Sequence, residues 1–367
     1  MKYKSSSLYI HIPFCKSICT YCDFKKFIYN QKRVNEYFES LFLQLNNLSQ
    51  KKYKTIYIGG GTPSCIDYEN LESLLKKVSQ LLIDNYKEFC IECNVENINE
   101  KLLTLFVKYK INRISIGVQS FHNDFIQFCG RTHTKEMAIN NINLASKFIP
   151  NVSLDMIFAF PNQKIKDLKY DLEIVTTLPI KHISYYSLLI EKNTILYSRG
   201  YKDVNDKIQA KMYKLIFDTL KKKGFKRYEI SNFSKAKKYQ SYHNKTYWHN
   251  QNYDAIGLGA SGYEKNIRYT INSNILKYIN HDFSHEQNYT LTMNDIMFNE
   301  IMLRLRLDEG LNIKQFNAKY KTDFMKKYKE SIAYNKKYKL ISFHNDILKT
   351  TFKGSLLLNT VLETFLD

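Results

Sequence analysis

The sequence predicts an α/β chain: a partial (β/α)6 barrel of TIM type, followed by a small, mainly helical C-terminal domain of winged-helix-like pattern. Three observations carry this expectation. Short β-rich runs alternate with longer amphipathic ones from residue 8 to about residue 190, the rhythm of repeated βα units and a parallel sheet. Cysteine, glycine or polar residues stand where the runs end, which is where parallel barrels gather their functional groups. Beyond about residue 190 the rhythm fades, and helical patterns return from Asp295 onward.

Taken in order, the strand candidates are Leu8 to Ile12, Thr55 to Ile58, Phe89 to Asn94, Arg113 to Val118, Val152 to Ile157 and His182 to Leu188. Phe38, Leu41, Phe42, Leu45 and Leu48 recur at helical intervals and predict a helix over Val34 to Leu48. The first strand leads into Cys15, Cys19 and Cys22; the second ends in Gly59-Gly60-Gly61-Thr62-Pro63; the third carries Glu92 and Asn94, the fourth Gln119 and the fifth Asp155. All five sets would converge on one mouth. Residues 205 to 224 read as one long helix ended by Gly224, and a polar, aromatic-rich segment follows Tyr228-Glu-Ile-Ser-Asn-Phe233. The chain finishes in a strand-like Asp346 to Thr351 and a helix with Leu358, Val361, Leu362 and Phe365 on one face.

Hydrophobic residues make up 44% of the 367, enough for a sizeable core. No stretch of about 18 uninterrupted apolar residues occurs, so no membrane span is expected. The apolar run near the N-terminus is too short for a secretory signal and is interrupted by His11, so a cytoplasmic protein is expected. Seven cysteines without regular spacing argue against a disulfide framework. Cys90 and Cys93 lie on a strand and point to opposite faces; Cys65 and Cys129 read as small buried residues. Net charge is +20, yet the lysines are spread along the whole chain. Their densest stretch, Lys314 to Lys339, reads as a solvated helical face, with nucleic-acid contact as the alternative. No nucleic-acid partner is expected, and at most peripheral membrane contact.

The cysteine loop bears the chemistry. Tetrahedral zinc needs four ligands, and no fourth lies near Cys15, Cys19 and Cys22. Three thiolates instead leave one iron of a [4Fe–4S] cube open to a small molecule. A zinc site completed by His11 or a distant ligand, or three incidental thiols, are the alternatives. The spacing resembles that of radical S-adenosylmethionine (SAM) proteins, in which the methionine moiety chelates the fourth iron. Next to such a loop, a glycine shelf suits the SAM amino group, the alternative being a tight structural turn. SAM also carries a carboxylate and a ribose diol, so its pocket needs acceptors and a cation. Glu92 and Asp155 can accept, Gln119 can bridge and Arg131 can clamp the carboxylate; each alone could equally be a satisfied polar residue at a strand end.

Tyr9-Ile-His-Ile-Pro-Phe-Cys15, Gly59-Gly-Gly-Thr-Pro-Ser64, Ser115-Ile-Gly-Val-Gln-Ser-Phe121, Gly130-Arg-Thr-His133, Tyr228-Glu-Ile-Ser-Asn-Phe233 and His243-Asn-Lys-Thr-Tyr-Trp248 together resemble the HemN/HemW family of radical SAM proteins. The likeness extends to Leu303-Arg-Leu-Arg-Leu-Asp-Glu-Gly310. It implies a radical SAM core over 1–230, a connecting segment with the HNxxYW motif over 231–290 and a HemN-type C-terminal domain over 291–367. It also implies that Tyr9 and Tyr21 flank the cluster loop, that Gly60, Gly61 and Thr62 line the methionine, and that Glu92, Gln119, Arg131 and Asp155 hold the rest of SAM.

Coproporphyrinogen III dehydrogenases of this family carry a fourth cysteine two residues after the third, where this chain has Phe24. The chain is therefore most similar to the HemW branch, haem chaperones that hold haem and deliver it to acceptor haem proteins. That branch associates the His243 block with haem binding, imidazole being the usual axial ligand of haem iron. A packed His and Trp in an ordinary linker is the alternative. The resemblance further implies an electron donor, with a homodimer as one option. The alternative function is oxygen-independent coproporphyrinogen III dehydrogenation, an oxidative decarboxylation in porphyrin biosynthesis. Three departures from the family pattern are Val95 in place of proline, Ala159-Phe160-Pro161-Asn162 in place of Gly-Leu-Pro-Gly, and the variant turn Gly257-Leu-Gly-Ala-Ser-Gly262.

Overall fold

The computed structural model describes residues 6–366; residues 1–5 and 367, on which the N-terminal reading and the outer domain bounds partly fall, lie outside the described residues. Six parallel strands run β1 (Ser7–Ile12), β2 (Thr55–Gly60), β3 (Glu88–Asn94), β4 (Arg113–Gln119), β5 (Asn151–Phe158) and β6 (His182–Ser187). All six expected strands are present, with ends moved by one or two residues. Each is followed by a principal helix: α1 (Gln31–Asn46), α2 (Tyr68–Ser79), α3 (Glu100–Lys108), α4 (Lys135–Phe148), α5 (Ile165–Thr177) and α6 (Asp206–Lys222). Local chemistry sets most of their starts. Asn30, Asp67, Asn99, Thr134 and Asn205 each accept a first-turn backbone N–H with the side chain.

The strands alternate, and register makes the alternation collective. Ser7, Thr55, Glu88 and Arg113 belong to one polar face of the ladder, as do Tyr9, Tyr57, Cys90, Ser115 and Ser153. The opposite face carries Leu8, Ile10, Ile56, Ile58, Phe89, Ile91, Ile114, Ile116 and Leu154, all buried in one hydrophobic core with the helices. Barrel interiors of this type are usually filled by branched apolar side chains. Here the lumen is polar, so it can receive a polar ligand.

Four features were not anticipated. Beyond β6, β7 (Lys226–Arg227) and β8 (Asn232–Ser234) extend the sheet antiparallel. At the other edge, β9 (Asp254–Ile256) pairs parallel with β1, giving a nine-stranded open sheet in the order β9-β1-β2-β3-β4-β5-β6-β8-β7. A short helix, α7 (Tyr242–Trp248), precedes β9. A three-stranded antiparallel sheet, β10 (Ser261–Glu264), β11 (Ile267–Ile271) and β12 (His285–Thr290), follows it.

The C-terminal part starts at α8 (Met293–Leu305) and has its own core around Ile301, Leu305, Phe316, Phe324, Val361 and Phe365. Helices α9 (Ile313–Tyr320) and α10 (Lys329–Lys337) accompany a small sheet of β13 (Leu311–Asn312), β14 (Ile341–His344) and β15 (Ile347–Thr350). The β14–β15 hairpin forms the wing of this mainly helical unit, and Leu358, Val361, Leu362 and Phe365 are buried together as expected.

Among the described residues no helix is long and apolar enough to cross a membrane. All seven cysteines are free, with Cys65, Cys90, Cys93 and Cys129 buried.

Candidate functional site

After β1 the chain turns at Pro13, and Phe14–Cys15 pairs in parallel with Phe27–Ile28. The Tyr29 amide donates to the Cys15 carbonyl at 2.8 Å, which pinches the base of a loop bearing Cys19 and Cys22. The far side of the loop is tied to the segment after β4: the Thr20 amide donates to the Cys129 carbonyl at 3.0 Å and its hydroxyl to the Phe128 carbonyl at 2.7 Å. Cys15 is buried while Cys19 and Cys22 are half-buried. Burial pushes the Cys15 thiol up to about 11, opposed by the Thr62 hydroxyl that donates to its sulfur at 3.4 Å; the neighbouring Cys19 and Cys22 thiols push it further up. A bound cation reverses that balance, because ligation stabilises the thiolate.

The glycines at the end of β2 are required by close approach. A Cβ on Gly61 would lie 2.7 Å from the Phe14 carbonyl oxygen and 3.0 Å from the Cys15 sulfur. Gly60 has φ +118°, and a Cβ there would meet the His11 ring at 2.6 Å. His11 itself uses both ring nitrogens, one with the Tyr9 hydroxyl at 2.9 Å and the other with the Lys25 carbonyl at 3.0 Å. It thus packs under the glycine shelf. Gly257, in the variant turn, approaches from the other side; its Cβ would sit 2.5 Å from the His11 carbonyl oxygen.

The donor set fits an iron–sulfur cube. Three thiols share one pinched loop, and a bare-backbone cradle in Gly61 accommodates Cys15. Among the described residues no group of three His, Cys, Asp or Glu is placed to hold a single metal ion. Thiolates bound to separate irons of a cube need not converge on one point.

Next to the loop, the mouth of the barrel separates charge. Glu92 accepts from the Tyr57 hydroxyl at 2.7 Å and from the Gly60 amide at 3.0 Å. Burial, aided by the Asp155 charge, lifts its carboxyl to about 7. Asp155 accepts from the Ser115 hydroxyl at 2.9 Å and is also raised by burial. Opposite them Arg131 donates to Asn94 Oδ1 at 2.8 Å and to the Tyr21 hydroxyl at 3.1 Å, while its buried Nε has no partner. Burial works against the guanidinium charge, and the hydrogen bond to the Tyr21 hydroxyl offsets part of that cost. Gln119 follows a register shift between β4 and β5 and adopts φ +71°, a left-handed conformation that aims a buried amide into the mouth at a cost in backbone strain. Gly117 leaves the space for it: a Cβ there would be 2.9 Å from an Arg131 nitrogen and 3.0 Å from Gln119 Nε2. Two carboxylates and one fixed cation at the same mouth can pair with the opposite charges of a zwitterion.

His243 lies elsewhere. It sits on α7 at the opposite end of the barrel, fully buried, with Nδ1 3.0 Å from Thr55 Oγ1 and Nε2 2.7 Å from Tyr247 Oη. Its ring stacks on Tyr57 at 5.3 Å, and burial drives its basicity down to about 3. Helix α7 closes this end of the lumen. Ser241 Oγ and the Tyr242 amide donate to Glu88 at 2.9 and 2.7 Å, and Thr246 Oγ1 meets Ser7 Oγ at 2.8 Å. In this conformation the imidazole offers no free lone pair to an iron.

Tyr57 and the positioning role of Asn94 were not singled out from the sequence. Their signal is the inward phase of the strand alternation, since Tyr57 shares its face with Tyr9 and Cys90.

Known proteins resemble this chain over its whole length. Residues 9–175 match the radical SAM superfamily model and residues 291–357 match the HemN C-terminal domain model. The chain is 35% identical to the heme chaperone HemW of Lactococcus lactis, covering 100% of this chain and 98% of that protein. It is 32% identical to the heme chaperone HemW of Bacillus subtilis, covering 98% and 99%. Coproporphyrinogen III oxidase (HemN) from Escherichia coli, a radical SAM enzyme, superposes with a TM-score of 0.87 over 99% of this chain and 90% of that one at 17% identity, a likeness of fold.

Proposed function

We infer that this chain, which belongs to the HemW family of heme chaperones within the radical SAM superfamily, is itself a haem chaperone that carries haem to acceptor haem proteins. The observation that carries the cofactor assignment is the juxtaposition of the pinched Cys15, Cys19 and Cys22 loop with a mouth of two acids and one arginine. Those thiols would hold a [4Fe–4S] cluster, and Gly60, Gly61 and Thr62 would line the methionine of SAM. Glu92 would accept its ammonium, Arg131 would clamp its carboxylate, and Asp155 and Gln119 would hold the remainder, with Tyr9 and Tyr21 flanking. When bound, such a cluster supplies an electron to SAM at an open iron. The chain's residues orient the zwitterion: Arg131 is fixed by Asn94 and Tyr21, and Glu92 by Tyr57 and the Gly60 amide, so little motion is needed on binding.

Phe24, where a fourth cysteine would stand, is 66% exposed and offers no ligand, which favours the chaperone over porphyrinogen decarboxylation. We place the protein in the cytoplasm, with an electron donor and, as one option, a second copy among its partners. His243 secures α7 across the barrel floor; ligation of haem iron by it would require that helix to leave.

Anaerobic reconstitution of the cluster, followed by haem titration and an assay for coproporphyrinogen III decarboxylation, tests the reading. Stable haem binding without decarboxylation is expected. Decarboxylation, or no haem binding, overturns it.

A further inference from the structure

Two residues at the end of β3 meet two residues of the Gly130-Arg-Thr-His133 segment at matched spacing. Asn94 bonds Arg131, and Glu96 faces His133, whose Nδ1 lies 3.8 Å from Glu96 Oε2. Glu96 sits in a short 3-10 turn, Val95–Asn97, that is tied down on both sides. Asn141 of α4 donates to the Val95 carbonyl at 2.8 Å. Ser64, just past the glycine shelf, accepts from the Asn94 amide at 3.1 Å and donates to Asn97 Oδ1 at 3.1 Å.

Within this frame the Asn94 side chain bridges two charged groups. Its Oδ1 accepts from Arg131 Nη1 at 2.8 Å, and its Nδ2 donates to Glu96 Oε1 at 3.1 Å. A guanidinium only donates and a carboxylate only accepts, so both neighbours demand the same orientation of the amide. Burial works against the Glu96 charge, but the His133 ring, the turn's own amide and Arg131 hold its carboxyl below the usual carboxylate range, so it stays an acceptor. Without that acceptor the amide can turn its nitrogen toward the guanidinium, donor against donor. The guanidinium has little else to hold it: its other bond is to the Tyr21 hydroxyl at 3.1 Å, and its buried Nε has no partner among the described residues.

We propose that Glu96 is a positioning residue of the SAM site: through the Asn94 amide it aims the Arg131 guanidinium at the SAM carboxylate, and His133 holds the Glu96 carboxylate in place. The proposal rests on the reading of the mouth as a SAM site. Glu96 itself need not touch the ligand. Its effect passes through one amide whose two bonds to charged groups reinforce each other.

The test is equilibrium dialysis of SAM against the full-length, cluster-reconstituted protein, with cluster content as the check on folding. Glu96→Ala should bind SAM roughly tenfold more weakly at unchanged cluster content, and Glu96→Gln, which keeps an acceptor for Nδ2, should recover most of that loss. Adding Glu96→Ala to Asn94→Ala should cost nothing beyond Asn94→Ala alone, because both break one relay. Methylthioadenosine, which lacks the amino-acid end of SAM, should bind the wild type and Glu96→Ala alike. Unchanged SAM affinity in Glu96→Ala, a glutamine variant as weak as the alanine one, or loss of the cluster in both overturns the proposal and leaves the SAM site standing. So do additive losses in the double variant, or an equal loss for methylthioadenosine. A wild-type protein that binds no SAM overturns both.

Discussion

Replacing His243 with alanine removes two buried hydrogen bonds, to Thr55 and Tyr247, and the stacked contact with Tyr57. A neutral hydrogen bond contributes about 1 kcal/mol net, and an aromatic pair about 0.5–1.5 kcal/mol. Thr55 retains its bond to Ser7 at 2.8 Å, so only the Tyr247 hydroxyl is stranded. The sum is a loss of about 3 kcal/mol, read as a lower midpoint in urea unfolding of the cluster-free chain followed by circular dichroism. The pH dependence gives an independent check. Burial holds His243 neutral in the fold down to about 3, whereas the unfolded residue takes up a proton below about 6.5. The wild type therefore loses stability through this residue as pH falls below 6.5, by up to about 1.4 kcal/mol per unit, and the alanine variant does not. The gap between the two narrows on acidification. An unchanged midpoint at pH 7.5, or a gap that stays constant to pH 5, refutes the assignment of His243 to the barrel floor.

Gly61→Ala places a methyl group against the Phe14 carbonyl and the Cys15 sulfur, so iron and sulfide content after reconstitution should drop well below the wild type's, while Gly200→Ala, which meets no neighbour and bears only the backbone strain of φ +78° far from the cysteine loop in sequence, should reconstitute normally. With its carboxyl near 7, Glu92 must be ionised to accept an ammonium, so SAM affinity should fall about tenfold per unit below pH 7 and level off above it; equilibrium dialysis of Glu92→Gln should show a weak, pH-independent affinity. Arg131→Lys keeps the charge but loses the fork that bonds Asn94 and Tyr21, so SAM affinity should drop by roughly tenfold at unchanged cluster content; equal affinity would remove Arg131 from the site.

The barrel was legible because its outward residues, such as Ile56, Ile58, Ile114 and Ile116, are buried against helices and so form compact apolar runs with polar residues between them. The edge strand β9 is three residues long and has no such pattern, and every residue of β12 is exposed, so neither left a periodic signal. Cysteines and glycines announced the mouth because few other residues satisfy a thiolate loop or a backbone at φ +118°. Tyr57 was hidden as an ordinary strand former, and His243 could not be placed because its partners, Thr55 and Tyr247, meet it only in the folded chain. One departure from the family pattern acquires a physical meaning: Ala159 and Asn162, standing where glycines are usual, adopt φ +64° and +65°, so the left-handed backbone of the turn persists at non-glycine residues, at a cost in strain.

The central claim is that this protein delivers haem and does not transform a porphyrinogen. Its most direct test is to load the reconstituted protein with haem under anaerobic conditions, add an apo haem protein, and follow the absorption bands of both by difference spectroscopy. Haem should appear in the acceptor at a rate above that of free haem released by a non-specific carrier such as serum albumin. Haem that stays bound, or passes no faster than from that carrier, would contradict the account.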